Sequence, residues 1–191
     1  MRDVIPQEFV TLDGQAAGPN NSVDFVPAST RGDHTFGQEQ SGVFEAIDTI
    51  LLGRITYQMF AGYWPNVTEG DEKLFADKMN TTPKIVVSRT LERAPWGTWK
   101  DASIVTGDAA AEVRTLKQQA GKGIVIWGSI SLAQSLTMEK LIDEYQLVIC
   151  PLVLGAGRPL FGDDVQPFEM TLSKVTPLDR GAVLVKYSPH T

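Results

Sequence analysis

Three short apolar runs, each closed by a small or cationic residue, constrain this chain more than any other feature. Ile50, Leu51 and Leu52 are broken by Gly53, and Arg54-Ile-Thr-Tyr57 then opens a segment with helical spacing through Ile55, Met59 and Phe60. Lys84-Ile-Val-Val87 ends in Ser88 and Arg89, and Gly123-Ile-Val-Ile-Trp127 ends in Gly128 and Ser129 before a helical stretch from Ser131 to Thr137. Runs of this length and composition read as buried strands. In open α/β sheets, ligands bind beyond the carboxyl ends of the strands. A strand that turns through glycine into a helix presents unpaired backbone N–H groups at the positive end of the helix, where phosphate binds readily. Arg54 and Arg89 add planar cations, and Thr56 and Ser88 add hydroxyls. One such end is weak, because an ordinary turn with a solvated arginine looks the same. Three of them point to one anionic ligand carrying several phosphates.

Length and charge narrow the field. The 191 residues fit one domain, 1–191, long enough to bury a real core. Net charge is 17 − 23 = −6, which argues against nucleic acid as a partner, although a local arginine cluster can still hold a phosphorylated cofactor. Cys150 is the one cysteine, so no internal disulfide can form; a reducing, cytoplasmic setting is expected, and its apolar run before Pro151 reads as packing. No stretch approaches the ~18 apolar residues of a membrane span, and no apolar signal core follows Met1-Arg-Asp3. Zinc spacing, a Walker loop and a Ser-His-Asp pattern are all missing, and two histidines with one cysteine leave little for a transition metal.

Along the chain, Val4 to Leu12 reads as a first strand, and the Gly- and Asn-rich Asp13 to Asn21 as a loop. Ser22 to Gly42 has no clear period. Val43, Phe44, Ile47 and Ile50 make a helical stripe over Gly42 to Ile50 that should face the sheet. Tyr63-Trp-Pro65 forms an aromatic patch, either core lid or substrate wall. Thr68 to Met79 reads as a surface helix stopped before Pro83, and Trp96 and Trp99 as surface packing beside Gly97. Ser103 to Gly107 is a short strand, Asp108 an N-cap and Ala109 to Ala120 a helix. Leu147 to Leu154 reads as a buried strand, and Met170 to Thr176 with Gly181 to Tyr187 as a terminal antiparallel pair around Pro177 and Asp179.

The motifs Thr11-Leu-Asp-Gly14, Leu52-Gly-Arg-Ile-Thr-Tyr57, Val86-Val-Ser-Arg-Thr90, Val125-Ile-Trp-Gly-Ser129 and Ile142 to Gly157 run in an order that resembles the dihydrofolate reductase superfamily. The likeness is strongest to its branch containing the reductase domain of bacterial riboflavin biosynthesis and small stand-alone reductases. It implies a three-layer αβα sandwich with a mostly parallel mixed sheet and an antiparallel C-terminal edge. It also implies NADPH as cofactor and a small flat heterocycle, pterin- or aminopyrimidine-like, as substrate. Gly53, Arg54, Thr56, Ser88 and Arg89 would hold the adenosine 2′-phosphate and pyrophosphate. Gly128, Ser129 and Leu132 of the following helix would take the pyrophosphate, and Ala16, Ala17 and Gly18 would border the nicotinamide. Ser129 stands where the family usually has a second glycine; it keeps the N–H and adds a hydroxyl.

In folate-reducing relatives a carboxylate on the helix after the first loop helps deliver a proton. The corresponding place here, near Gly37 to Gln40, holds no Asp. Glu39 is nearest, with Asp33 upstream and His34 able to titrate near neutrality; water is the alternative donor. The resemblance makes Asp143 and Glu144 structural, on the side away from the cofactor. It also favours a homodimer, with Leu147 to Leu154 and the terminal strands supplying apolar surface. Two arginines at the ribose phosphate should favour NADPH over NADH by about two to four orders of magnitude. The rival reading is a nucleotide-binding protein that keeps the fold without turnover.

Overall fold

In a computed structural model, residues 1–190 are described; Thr191, the last of the expected 1–191 domain, lies outside them. In chain order the elements are β1 (Val4–Thr11), β2 (Gln15–Ala17), α1 (Phe25–Thr30), α2 (His34–Ala46), β3 (Ile47–Gly53), α3 (Arg54–Tyr63), α4 (Lys73–Thr81), β4 (Lys84–Val87), β5 (Ser103–Val105), α5 (Ala109–Gln118), β6 (Gly123–Trp127), α6 (Ile130–Met138), β7 (Tyr145–Cys150), β8 (Arg158–Pro159), β9 (Met170–Pro177) and β10 (Val183–Pro189). Eight strands form one sheet in the order β5-β4-β3-β6-β1-β7-β10-β9, and β2 pairs with β8 in a small second sheet. β5 through β7 run parallel, whereas β10 is antiparallel to both β7 and β9. This is the mixed sheet with an antiparallel C-terminal edge that the motifs implied.

Helices cover both faces because the central strands are apolar on both. Val4, Leu51, Ile124 and Ile126 meet Val113 and Leu116 of α5 and Leu132 and Leu136 of α6 on one side. Ile50, Leu52, Val86 and Val125 meet Val43 of α2, Tyr57 of α3 and Met79 of α4 on the other. Each leucine or isoleucine buried there contributes roughly 1.5–3 kcal/mol.

Several expected boundaries move, each for a local reason. The stripe from Gly42 to Ile50 is only half helix: α2 stops at Ala46, and Ile47 is already extended at φ −115°, ψ 162°. Two of its next three residues are β-branched, which favours the sheet. The last strand before the antiparallel edge is Tyr145–Cys150 rather than 147–154, since Pro151 has no N–H for the ladder. Residues 13–21 contain β2 and a 3₁₀ turn at Pro19–Asn21, so they are not merely loop. The surface helix begins at Lys73, not Thr68, and runs on to Thr81. Trp96 is core rather than surface: it is fully buried, donates to Asn80 Oδ1 at 2.7 Å and lies under the Lys84 ammonium. That buried lysine, bonded to the carbonyls of Asn80 and Thr82, has its pKa pushed down to about 8 by burial.

Candidate functional site

The carboxyl ends of β5, β4, β3, β6 and β1 lie side by side along one edge of the molecule. At the ends of β3 and β6 the two glycine turns are bonded to each other. Ser129 N–H donates to Thr56 Oγ1 at 2.9 Å, and Gly53 N–H donates to Ser129 Oγ at 2.9 Å. Ser129 Oγ in turn donates to the Trp127 carbonyl. Gly128 and Ser129 both adopt left-handed backbone, φ 54° and 58°. A Cβ on Gly128 would sit 3.2 Å from the Thr56 side chain, so a larger residue would crowd Thr56 in a left-handed turn that glycine adopts freely. What the turn leaves open is backbone: N–H groups in the first turn of α6, beginning at Ile130, lack intrahelical acceptors.

This arrangement redistributes the expected ligands. Gly53 N–H and Ser129 N–H are spent inside the turn pair, the first on Ser129 Oγ and the second on the buried Thr56 Oγ1. Leu132 has its side chain in the core and its N–H on the Ser129 carbonyl at 2.7 Å, leaving it nothing to offer a ligand. Arg54 is exposed at the start of α3, its Nη1 donating to Gln58 Oε1 at 3.2 Å. Ser88 and Arg89 line an open cleft of about 600 Å³ with Thr106, Gly107, Asp108, Ala109 and Ser135. Ser88 Oγ accepts from Thr90 and Leu91 N–H, which fixes the turn and leaves its own proton free. The cleft also holds a carboxylate that the strand-end motifs did not include. Asp108 caps α5, accepting from Ala110 N–H at 2.9 Å.

Ala16 and Ala17 do not present their methyls to solvent. Ala16 packs with Val10 and Leu160, and Ala17 is 1% exposed, leaving backbone as the surface they can show. Asp13 pins this segment: Thr11 Oγ1 donates to it, as do Leu154 and Gly155 N–H. The Thr11 bond, ahead of the backbone bonds, holds its carboxyl below the ordinary range despite a smaller opposing effect of burial.

Two of the three candidate proton donors, Glu39 and Asp33, are held by partners within the protein. Glu39 reaches the opposite edge of the sheet, paired with Lys174 and Lys186 and accepting from Thr176 Oγ1. Burial pushes its pKa up, but the Lys174 hydrogen bond and the two ammonium charges outweigh that and hold it below the usual value. Asp33 caps α2, accepting from Phe36 N–H at 2.8 Å and from Arg180 N–H at 3.0 Å. His34 is exposed, with its backbone N–H on Asp179. Asp143 and Glu144 lie at the amino end of β7, away from the cleft; Asp143 accepts from Val4 N–H and pairs with Lys117.

Sequence reasoning missed a buried amide chain on the α2 face. Trp127 Nε1 donates to Gln7 Oε1 at 2.6 Å, Gln40 Nε2 to the same oxygen at 2.8 Å, Gln7 Nε2 to Gln146 Oε1, and Gln146 Nε2 to Glu144. Indole can only donate and a carboxylate only accept, so every amide orientation is fixed and Gln40 Oε1 is left without a partner among the described residues. The available signal was polar residues, Gln7 and Gln146, inside otherwise apolar strands.

Parallel strands turning through glycine at one shared edge, with an antiparallel C-terminal extension, define a dihydrofolate-reductase-like α/β protein. The chain belongs to the RibD C-terminal domain family, which it matches over residues 2–184. It is 32% identical over 187 residues to YyaP, an uncharacterised protein of Bacillus subtilis strain 168, covering 97% of this chain and 94% of that one. Among solved structures it resembles RibD of Acinetobacter baumannii, with a TM-score of 0.72 and 18% identity, covering all of this chain but 58% of that one. It also resembles dihydrofolate reductase of Enterococcus faecalis complexed with NADP(H), with a TM-score of 0.60, 10% identity and 99% and 97% coverage. At these identities the structural likenesses speak for the fold.

Proposed function

We propose that this protein is an NADPH-dependent reductase of a small flat heterocycle, pterin- or aminopyrimidine-like. The observation that supports the reading is the open cleft of about 600 Å³ at the ends of β4 and β5, lined by Arg89, the Ser88 hydroxyl and the start of α5, with Asp108 beside them. The residues fit the dinucleotide: a phosphate would meet Arg89 there, and the pyrophosphate would cross the turn that Gly128 keeps clear. The ring would lie toward the backbone of Ala16 to Gly18. When bound, the cofactor supplies hydride; the protein supplies alignment and a dry, polar frame. The amide chain ending at Gln40 Oε1 gives the α2 face an acceptor for a ring N–H. With Glu39 and Asp33 committed to ion pairs and caps, water is the proton source we favour. A cytoplasmic homodimer completes the reading.

NADPH titration followed by oxidation assays against pterins and aminopyrimidines tests it. Saturable NADPH binding with turnover of one of these classes is expected. Binding without turnover on either class would favour a nucleotide-binding protein that keeps only the fold, and no binding would end the reading.

A further inference from the structure

β1 carries a carboxyl group that the reading above does not use. Glu8 is 3% exposed, and its Oε1 is buried without a hydrogen-bond partner among the described residues. Burial raises its pKa well above the ordinary carboxyl range, since no cation or donor compensates a charge there. Burial without a counter-charge favours the neutral carboxylic acid, which has one O–H to donate and one carbonyl oxygen to accept. Buried polar groups in folded proteins are nearly always paired, so an acid left open in the middle of a strand needs a partner from elsewhere.

Its position indicates which partner. Side chains alternate along a strand, so Glu8 shares a face with Val4 and Val10. On that face Val10 packs with Ala16, Leu160 and Ile130 at the start of α6. On one flank Glu8 is paired with Leu147 of β7. On the other it stands one residue beyond the Gln7–Trp127 pair, level with Gly128, which has no side chain to cover it. Glu8 thus lies between the Gly128–Ser129 turn and the Ala16–Gly18 segment, the two places between which the nicotinamide end of the dinucleotide would lie.

We propose that Glu8 recognises the primary carboxamide of the nicotinamide, an inference that rests on the dinucleotide reading above. The acid O–H donates to the carboxamide oxygen, and the carboxamide N–H donates to the Glu8 carbonyl oxygen. Donor meets acceptor twice in one closed ring, an arrangement that neither a carboxylate nor a hydroxyl alone can match.

Binding, measured by titration calorimetry, separates this from a purely structural role. The ligands are NADPH and 2′-phospho-ADP-ribose, which carries the same phosphates and no nicotinamide. Glu8→Leu should weaken NADPH by about tenfold or more, the worth of one to two hydrogen bonds, and leave the fragment within about twofold. Glu8→Gln presents the same donor and acceptor pair and should keep NADPH within about threefold. In the unaltered protein, the 3-acetylpyridine analogue of NADP⁺, whose methyl replaces the amide nitrogen, should bind about tenfold more weakly than NADP⁺. That measurement needs no variant to fold. NADPH affinity unchanged in Glu8→Leu, an equal loss for the fragment, or equal affinity for the acetyl analogue overturns the role of Glu8 alone. Failure of the unaltered protein to bind both NADPH and the fragment overturns the dinucleotide reading, and this inference with it.

Discussion

Arg54 and Arg89 occupy equivalent places in the sequence pattern, each just past a strand end, yet their settings differ. Arg89 lines the cleft beside the N-terminus of α5, whereas Arg54 is turned along α3 to Gln58. Asp108 also stands at the cleft, so the electrostatic preference for a ribose phosphate should be smaller than two free arginines imply. One charge-assisted contact of ~1.5–3 kcal/mol corresponds to roughly 10- to 150-fold. Arg89→Ala should therefore weaken NADPH by about that factor at low salt and leave NADH unchanged, while Arg54→Ala changes NADPH by less than about threefold. A larger effect at Arg54 than at Arg89, read by fluorescence titration, would reverse the assignment. The i, i+4 bond to Gln58 was open to inspection in the sequence. The ties of Glu39 to Lys174 and Lys186 were not, because they join α2 to strands 135 or more positions later. Glu39 has a lowered folded pKa, so its contribution is present above the unfolded value of ~4.3 and lost as pH falls through the folded one. Glu39→Gln should cost about 1 kcal/mol at pH 7 by urea denaturation, and the gap should close below about pH 4. Turnover should not change. A large loss of turnover with unchanged stability would restore Glu39 as a proton donor.

At the scale of elements, the strand–glycine–helix units were the legible part, because composition and period both mark them. Their mutual bonding was not legible. Thr56 and Ser129 lie 73 positions apart, and Gly53 and Ser129 lie 76 apart, so no local spacing announces the contact. Hydroxyls that read as phosphate ligands bond one turn to the next in this structure. Thr56→Val would leave Ser129 N–H without an acceptor at a part-buried site, a loss of about 1 kcal/mol. Ser129→Ala would orphan Gly53 N–H and keep the left-handed backbone, at about 1–2 kcal/mol. Ser129→Gly loses the same acceptor but relieves the Cβ strain, so it should recover about 1 kcal/mol relative to the alanine variant. If urea unfolding places all three variants at the stability of the parent protein, the two turns are not coupled in this way. The same reasoning explains the misplaced end of α2: apolar residues at Val43, Phe44, Ile47 and Ile50 satisfy a helical stripe, and only the β-branching of Ile47, Thr49 and Ile50 argues for a strand.

For the whole molecule, the sheet order decides which apolar surface can meet a second copy. β7 lies between β1 and β10 and its apolar side chains are largely buried, so of the expected 147–154 surface only the stretch after Pro151, with Val153 66% exposed, is open to a second copy. The free edges are β5, three residues long, and β9, eight residues long. Leu172 and Val175 of β9 are about half exposed, at 48% and 50%. A long edge strand with apolar side chains and unpaired backbone groups is a template for another strand unless something covers it. The outward Lys174, a usual guard against such pairing, is drawn to Glu39. We therefore place the proposed homodimer contact at β9. Light scattering at micromolar concentration should return a mass near twice 20.9 kDa. Leu172→Lys combined with Val175→Lys should return the monomer and leave NADPH affinity within about twofold, because β9 is at the opposite edge of the sheet from the β4–β5 cleft. A parent protein of 20.9 kDa would remove the dimer, and a double variant that stays dimeric would move the contact to another surface.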